Sequence, residues 1–322
     1  MSGAQQCPVR WIASLSLVVS ACATDNAVDT SVVPASTSSP SVMTSLLPTA
    51  STVPPTTVLS ASSVCDSYSE PVALGSITDP DLIEVSGIAV GSEGVIWVHN
   101  DSGSVPQLWA LDDSGAVLRT VPVSVRNIDW EDISIGPGPN GARYLYLADI
   151  GDNLERRASV TLHRFVEPGP FDDRAEEIES LTVTYPGGPA DAESLLVDPS
   201  TGDSFIVTKT VTGRSTVFRI PSGAWSQRST EAQHAATIDL GALSLVTAGS
   251  ISPDGSVIAL RTYLDVWLWE RRTGETVADA LRGVPCRAPA AAESQGEALG
   301  FDETGYLTIS EGVGAVVYRV GR

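Results

Sequence analysis

Lysine is all but missing from this chain. Lys209 stands alone beside eighteen arginines, and 39 Asp and Glu residues outnumber all basic ones, for a formal charge of −20. Such a chain has no clustered Lys and Arg with which to neutralise phosphates, which excludes nucleic acid as a partner and offers no polybasic patch to a bilayer. Histidine is nearly as scarce. His99, His163 and His234 are scattered singly, so no His or Cys cluster with metal-ligand spacing exists, and only His99 falls near the acidic positions described below. Also absent are a G-x-S-x-G elbow, a Walker loop, an H-E-x-x-H pair and a G-x-G-x-x-G turn after a strand. Long apolar runs are lacking too: the stretch after Arg10 is about eleven residues, too short to span a bilayer as a mature helix.

That short run opens the chain behind a single basic residue and stops at Val19-Ser20-Ala21-Cys22, which is the form of a secretory signal. The four residues resemble the bacterial lipobox, and the resemblance implies that residues 1–21 are removed and that Cys22 becomes the lipidated first residue, carrying acyl chains such as palmitate. Residues 22–64 are almost all Ser, Thr, Pro, Ala and Val without an aromatic before the end, and cannot bury enough surface to fold. They read as a disordered tether that lifts the remainder about 35 Å or more from the outer face of the membrane. Once Cys7 leaves and Cys22 is acylated, Cys65 and Cys286 are the only thiols in an oxidising compartment, so they are expected to form a disulfide.

Residues 65–322 carry an internal repeat. Segments beginning at Ser86, Glu131, Glu193, Thr247 and Glu297 each show an alternating apolar run, a turn (GSEG, GPGPNG, DPSTG, SPDG, DETG) and a second apolar run ending in polar residues. The turns hold Gly, Pro and Asp where a tight reversal requires them. The hairpins recur at spacings of 45, 62, 54 and 50 residues, and two further strand-like runs follow each but the last. A four-stranded unit at this period predicts an all-β fold, a β-propeller of five blades, with six as the alternative if an insertion conceals another. The fifth unit lacks a fourth strand, and PVALGSI (71–77) is the candidate donor that closes the ring by pairing with the C-terminal strand; Cys65 precedes it, and Cys286 lies in the connection into the same blade. The sequence VADALRGV (277–284) is the weak fourth strand of the fourth unit. Short helical turns are expected within 172–180 and 222–233.

In a propeller the innermost strand starts at the face to which the second strand returns. Residues that open the first run and close the second therefore converge on one mouth of the central channel. These include Glu131, Glu193 and Glu297, preceded two residues earlier in the first two cases by Asp129 and Asp191, and the returning ends Asn100, Asp101, Asp149, Asp152, Lys209, Arg261, Tyr263 and Glu311. Carboxylates crowded there raise one another's pKa unless a cation intervenes. Three arrangements satisfy this: a hard metal such as Ca²⁺ held by Glu131, Glu193, Glu297 and Asp149 or Asn100; an internal ion network with Lys209 and Arg261; or one carboxyl kept protonated as a general acid beside another serving as base. The run DIGDN fits either a calcium loop or an Asx-turn that holds a long loop.

At DWEDISIGPG, DIGDN, DAESLLVDPSTGD, SPDGSVIALRTY and QGEALGF the chain resembles bacterial secreted propeller lipoproteins, and more distantly the phytase-like and esterase-like propellers. The phytase-like resemblance implies Ca²⁺ and phosphate esters at Glu131, Glu193, Glu297, Asp149 and Asp152. The functional expectation is a lipid-anchored, monomeric propeller that binds a metal, glycan, peptide or small molecule at the acidic mouth. The alternative is a metal-dependent hydrolase of phosphoesterase, esterase or lactonase type using the same residues.

Overall fold

The computed structural model describes residues 63–322; the expected signal segment 1–21, the expected lipidation site Cys22 and the expected tether up to residue 62 lie outside the described residues. Strand β1 (Val72–Ser76) comes first and stands apart. Blade one then comprises β2 (Val85–Val90), β3 (Ile96–Asn100), β4 (Gln107–Leu111) and β5 (Val117–Pro122); blade two comprises β6 (Trp130–Pro137), β7 (Arg143–Asp149), β8 (Val160–Val166) and β9 (Glu179–Thr184). Blade three is built from β10 (Ala192–Val197), β11 (Ser204–Thr208), β12 (Arg214–Ile220) and, after the short β13 (Ser229–Glu231), β14 (Gln233–Asp239). Blade four holds β15 (Val246–Ile251), β16 (Val257–Thr262), β17 (Val266–Glu270) and β18 (Cys286–Ala288), with helix α1 (Val277–Leu281) between the last two. Blade five has β19 (Gly296–Phe301), β20 (Gly305–Ser310) and β21 (Val316–Gly321), and β1 pairs antiparallel with β21 as its outermost strand. The result is a five-bladed β-propeller closed by its N-terminal strand, as the repeat predicts.

The inner strands read as nearly unbroken apolar runs because both of their faces are covered. Leu195 packs toward blade two with Tyr146 and Leu162, while its neighbour Leu196 packs toward blade four with Ile258 and Leu260. Successive side chains on a strand point to opposite faces, so one dipeptide serves two interfaces. The buried apolar residues accordingly form five clusters, one at each junction between successive blades.

Two local expectations are corrected, and a third is met by a single turn. The segment 277–284 is not a strand: the Thr276 hydroxyl caps it by accepting from the Asp279 N–H, and α1 buries Val277, Ala280 and Leu281, leaving β18 to complete the blade. The segment 222–233 is helical only as a 3-10 turn over Ser222–Ser226; the Ser and Thr that follow favour extended backbone, and β13 pairs parallel with β9, adding a fifth strand to blade two from blade three. Within 172–180 no helix forms; Glu177 adopts a positive φ of 49°, and β9 begins at Glu179.

Cys65 and Cys286 are joined in a disulfide, with Cα atoms 6.0 Å apart. Cys286 belongs to β18 of blade four rather than to blade five, so the bond staples the segment ahead of β1 across the junction between blades four and five. It closes a loop of 221 residues, worth about 5 kcal/mol in the chain-entropy model and commonly less. Replacing both cysteines by alanine is expected to lower the unfolding free energy by about 2–5 kcal/mol in urea titrations; an unchanged midpoint would show that the staple constrains nothing.

Candidate functional site

One backbone irregularity recurs in every blade. The pairing between first and second strands slips between Val85 and Gly87, Trp130 and Asp132, Ala192 and Ser194, Val246 and Ala248, and Gly296 and Ala298. The extra residues in these five bulges are Ser86, Glu131, Glu193, Thr247 and Glu297, the five leading positions of the repeat. A bulge re-aims a side chain out of the ladder, and here it does so at the same point of all five inner strands. In blades one and four the residue is a hydroxyl that is satisfied at once: Ser86 donates to the Glu131 carbonyl at 2.7 Å and Thr247 to the Gly296 carbonyl at 2.7 Å. In the other three it is a glutamate, whose ionised carboxylate has no proton to donate to a carbonyl of the next blade.

The three glutamates meet different fates. Glu193 accepts a hydrogen bond from Lys209 Nζ, which also donates to the Tyr263 hydroxyl at 2.7 Å and lies 4.9 Å from the centre of that ring. Glu131 and Glu297 are 4% and 7% exposed, and no donor among the described residues reaches either carboxylate. Glu131 instead faces acids: one oxygen from each of Asp101, Asp129 and Glu131 lies within 4.8 Å of the others. Gly151 makes room for this group, since a Cβ there would come within 2.0 Å of Glu131 Oε1 and 2.6 Å of Asp129 Oδ2.

Electrostatics follow from the crowding. Burial pushes Asp101 up to about 7, Glu193 up to about 8 against the opposing pull of Lys209, and Glu297 up to about 9. Glu131 is raised well above the ordinary range by burial and then by Glu193, Asp101 and Asp129. Asp129, Asp191 and Glu311 are raised as well, burial leading in each case. Lys209 is held protonated by Glu193 and Tyr263 although burial opposes its charge.

The other sequence candidates stand aside from this group. Asp149 pairs with Arg157 at 2.6 Å. Asp152 accepts the backbone N–H groups of Arg156 and Arg157 at 2.8 and 2.7 Å, so DIGDN forms an Asx-type turn that holds a long loop. Asn100 ties the loop ahead of β2 by accepting from the Glu84 N–H and donating to the Asp81 carbonyl. Arg261 does not reach the mouth: its side chain turns into the junction between blades four and five, where it pairs with Glu293 at 2.6 Å against Gly296. His99 is a wall residue, with Nδ1 3.0 Å from the Asn100 carbonyl oxygen and its ring edge-on to Trp130, and burial holds it near neutrality with a pKa lowered to about 4.

Below the mouth the channel is crossed by a residue that the repeat does not flag. Asp132 accepts the N–H of Leu195 from blade three at 2.8 Å and of Gly249 from blade four at 3.2 Å. The residues in the same position of the other blades are Gly87, Ser194, Ala248 and Ala298, small enough to leave it space.

No protein-family model matches the chain, and no curated protein matches it in sequence. Among solved structures it is similar in fold to the soluble aldose sugar dehydrogenase of Escherichia coli in its apo form, with a TM-score of 0.47 and 8% identity over 78% of this chain and 99% of that one. It is also similar to a chain of a nidogen–laminin complex, with a TM-score of 0.41 and 11% identity over 71% and 73% of the two chains. The propeller assignment itself stands on the strand order of the five sheets.

Two outcomes are expected. Asp132→Ala strands three buried donors, the N–H groups of Ile133, Leu195 and Gly249, and should cost about 2–4 kcal/mol in chemical denaturation; a loss below 1 kcal/mol would mean that water replaces the carboxylate. Carboxyls whose folded pKa is raised stabilise the fold while protonated and lose that contribution as pH rises from about 4 through their folded values. Without added metal, thermal stability should therefore fall between pH 5 and pH 9, the window set by Asp101 at about 7, Glu193 at about 8 and Glu297 at about 9, and Glu297→Gln should flatten the decline. A melting temperature that climbs across this range would contradict the crowding.

Proposed function

We propose that the protein is a lipid-anchored, monomeric binding propeller at the outer face of the cell membrane, and that its acidic mouth takes a hard divalent cation, calcium foremost. The observation that carries the reading is Glu131: buried, without a donor, and grouped with Asp101 and Asp129 so that three carboxylate oxygens lie within 4.8 Å of one another. The donor set is all oxygen and all anionic, which suits Ca²⁺ and does not suit a soft metal. The space kept by Gly151 supports it, because a Cβ there would occupy the ground on which Glu131 and Asp129 meet. A bound cation would supply charge neutralisation and a polarising centre at the mouth. Anchoring and location rest on the signal-like N terminus, the lipobox-like residues ahead of Cys22 and the tether-like composition that follows.

A metal-dependent hydrolase is the second reading, and one observation favours it. Asp101, at about 7, is poised as an acid or base beside the candidate ligands Asp129 and Glu131. Glu297, buried and raised to about 9, would stay protonated at neutral pH and be able to donate to a leaving group.

Calorimetric titration of the full chain with CaCl₂ tests the proposal. Binding should be accompanied by a rise in melting temperature, strengthen as pH rises through about 7 as Asp101 ionises, and weaken at least about tenfold, a loss of about 1.4 kcal/mol, in Glu131→Gln and in Gly151→Ala. No heat and an unmoved melting temperature with Ca²⁺, Mg²⁺ and Mn²⁺ would remove the metal reading. Turnover of aryl phosphates or lactones that requires the metal and disappears in Glu131→Gln would favour the hydrolase.

A further inference from the structure

The loops around the acidic mouth share a property that their role as connections does not require. Each blade joins its second strand to its third on this face, and each of these five loops exposes one large aliphatic side chain: Val105, Leu154, Val211, Leu264 and Val313, all between 67% and 84% exposed. Three more, Ile83, Ile128 and Leu243, are exposed on the connections that enter blades one, two and four on the same face. Eight of the thirteen large apolar side chains that are exposed among the described residues thus surround one end of the molecule. Single exposed aliphatics are ordinary on a soluble surface, but one per loop around a closed ring is not a scatter.

Leu243 adds a second, independent observation. It is 76% exposed yet adopts a φ of 69°, in the left-handed region that favours glycine. Its N–H donates to the Val211 carbonyl at 3.0 Å, which fixes the backbone in that shape and brings two of the aliphatic loops together. Backbone strain spent on displaying a leucine to solvent stabilises nothing within this chain. Leu243 and Leu264 line a cavity of about 310 Å³ together with Tyr263, the residue whose hydroxyl accepts from Lys209 at the mouth. A pocket edged by two leucines and the Lys209–Glu193 pair therefore share one aromatic side chain.

From this arrangement we infer that the mouth face docks a basic polypeptide, a partner segment in which Lys or Arg enters beside Glu297 and Glu311, leaving Asp101, Asp129 and Glu131 to the cation, while a neighbouring apolar side chain seats between Leu243 and Leu264. The inference rests on the acidic-mouth reading for its charge and extends it to the class of partner. Charge decides the occupant. A second copy would bring one acidic ring against another, and anionic lipid headgroups would meet the same repulsion, whereas a cationic segment relieves the crowding of buried carboxylates and covers the apolar crown at once. A central anchor in a pocket ringed by weaker contacts is the usual anatomy of a protein interface.

Two synthetic peptides of equal length and charge, one alternating Lys with Leu and the other Lys with Ser, test this against the full chain by fluorescence anisotropy. The Lys–Leu peptide should bind one to one and at least about tenfold tighter than the Lys–Ser peptide. Leu264→Ser and Leu243→Gly should each erase that advantage while leaving the Lys–Ser affinity unchanged, and Leu243→Gly should keep or raise the melting temperature, because glycine suits the left-handed backbone. Glu297→Gln should weaken both peptides at pH 9, where about half of the wild-type carboxyl is ionised. Equal affinity for the two peptides, binding of phosphatidylglycerol vesicles that Leu264→Ser abolishes, or a dimer in sedimentation that Leu264→Ser dissociates would each overturn the inference. If Glu297→Gln weakens both peptides but the leucine variants change nothing, the crown is wrong and the acidic mouth stands. If neither peptide binds and Glu297→Gln is without effect, both fall.

Discussion

Every strand of the inner ring must be buried on both faces, and that single requirement organises the molecule. A twisted four-stranded sheet offers two apolar surfaces, and only a ring of such sheets covers both with no remainder. Leu195 and Leu196, adjacent in sequence, serve different junctions for this reason. The same requirement explains why β1 returns to blade five. Left with three strands, that blade would expose the edge of β21 and uncover part of the cluster it shares with blade one.

The ring also dictates where polarity can be placed. Apolar packing occupies the junctions, so polar side chains on the inner strands are confined to the axis, and the five bulges decide which residues point there. Two bulge positions are closed off by hydroxyls bonded to the next blade, and three hold glutamates. A ring so narrow that Asp132 bonds the backbone of two other blades brings those acids within mutual influence. Their raised pKa values are the consequence of geometry, and a cation at the mouth is the ordinary physical answer to them.

Much of this was legible in the sequence because propeller repeats write themselves in turns and alternation. The turns SPDG and DETG, the hairpin spacing and the missing fourth strand point to five blades and the closing strand, and the count of cysteines left after Cys7 and Cys22 points to the Cys65–Cys286 pair. Glu131, Glu193 and Lys209 were also placed at the mouth by position alone. What position could not supply was side-chain direction. Arg261 stands at the returning end of β16, but its side chain faces the junction and meets Glu293, a residue in an irregular connection with no repeat signature. Asp149 and Asp152 likewise sit in the right loop and spend their oxygens on Arg157 and on backbone N–H groups. Asp132 was hidden because it follows the bulge, and the bulge itself has no sequence mark beyond its recurrence. Helix α1 was missed since VADAL is short and apolar enough to pass for a strand until its Thr276 cap is seen.

The seam between β1 and β21 bears on how the chain reaches this state. A ribosome delivers β1 before every other strand of the ring and β21 after them, so the pairing that closes the ring waits until all five blades have been made. Until then the early strand has no partner in its own blade, and blades one to four have to assemble as an open arc whose two ends remain unsatisfied. The cysteine ahead of β1 must likewise stay reactive until β18 arrives. The pairing that completes the architecture is thus also the last one that the order of the strands along the chain allows.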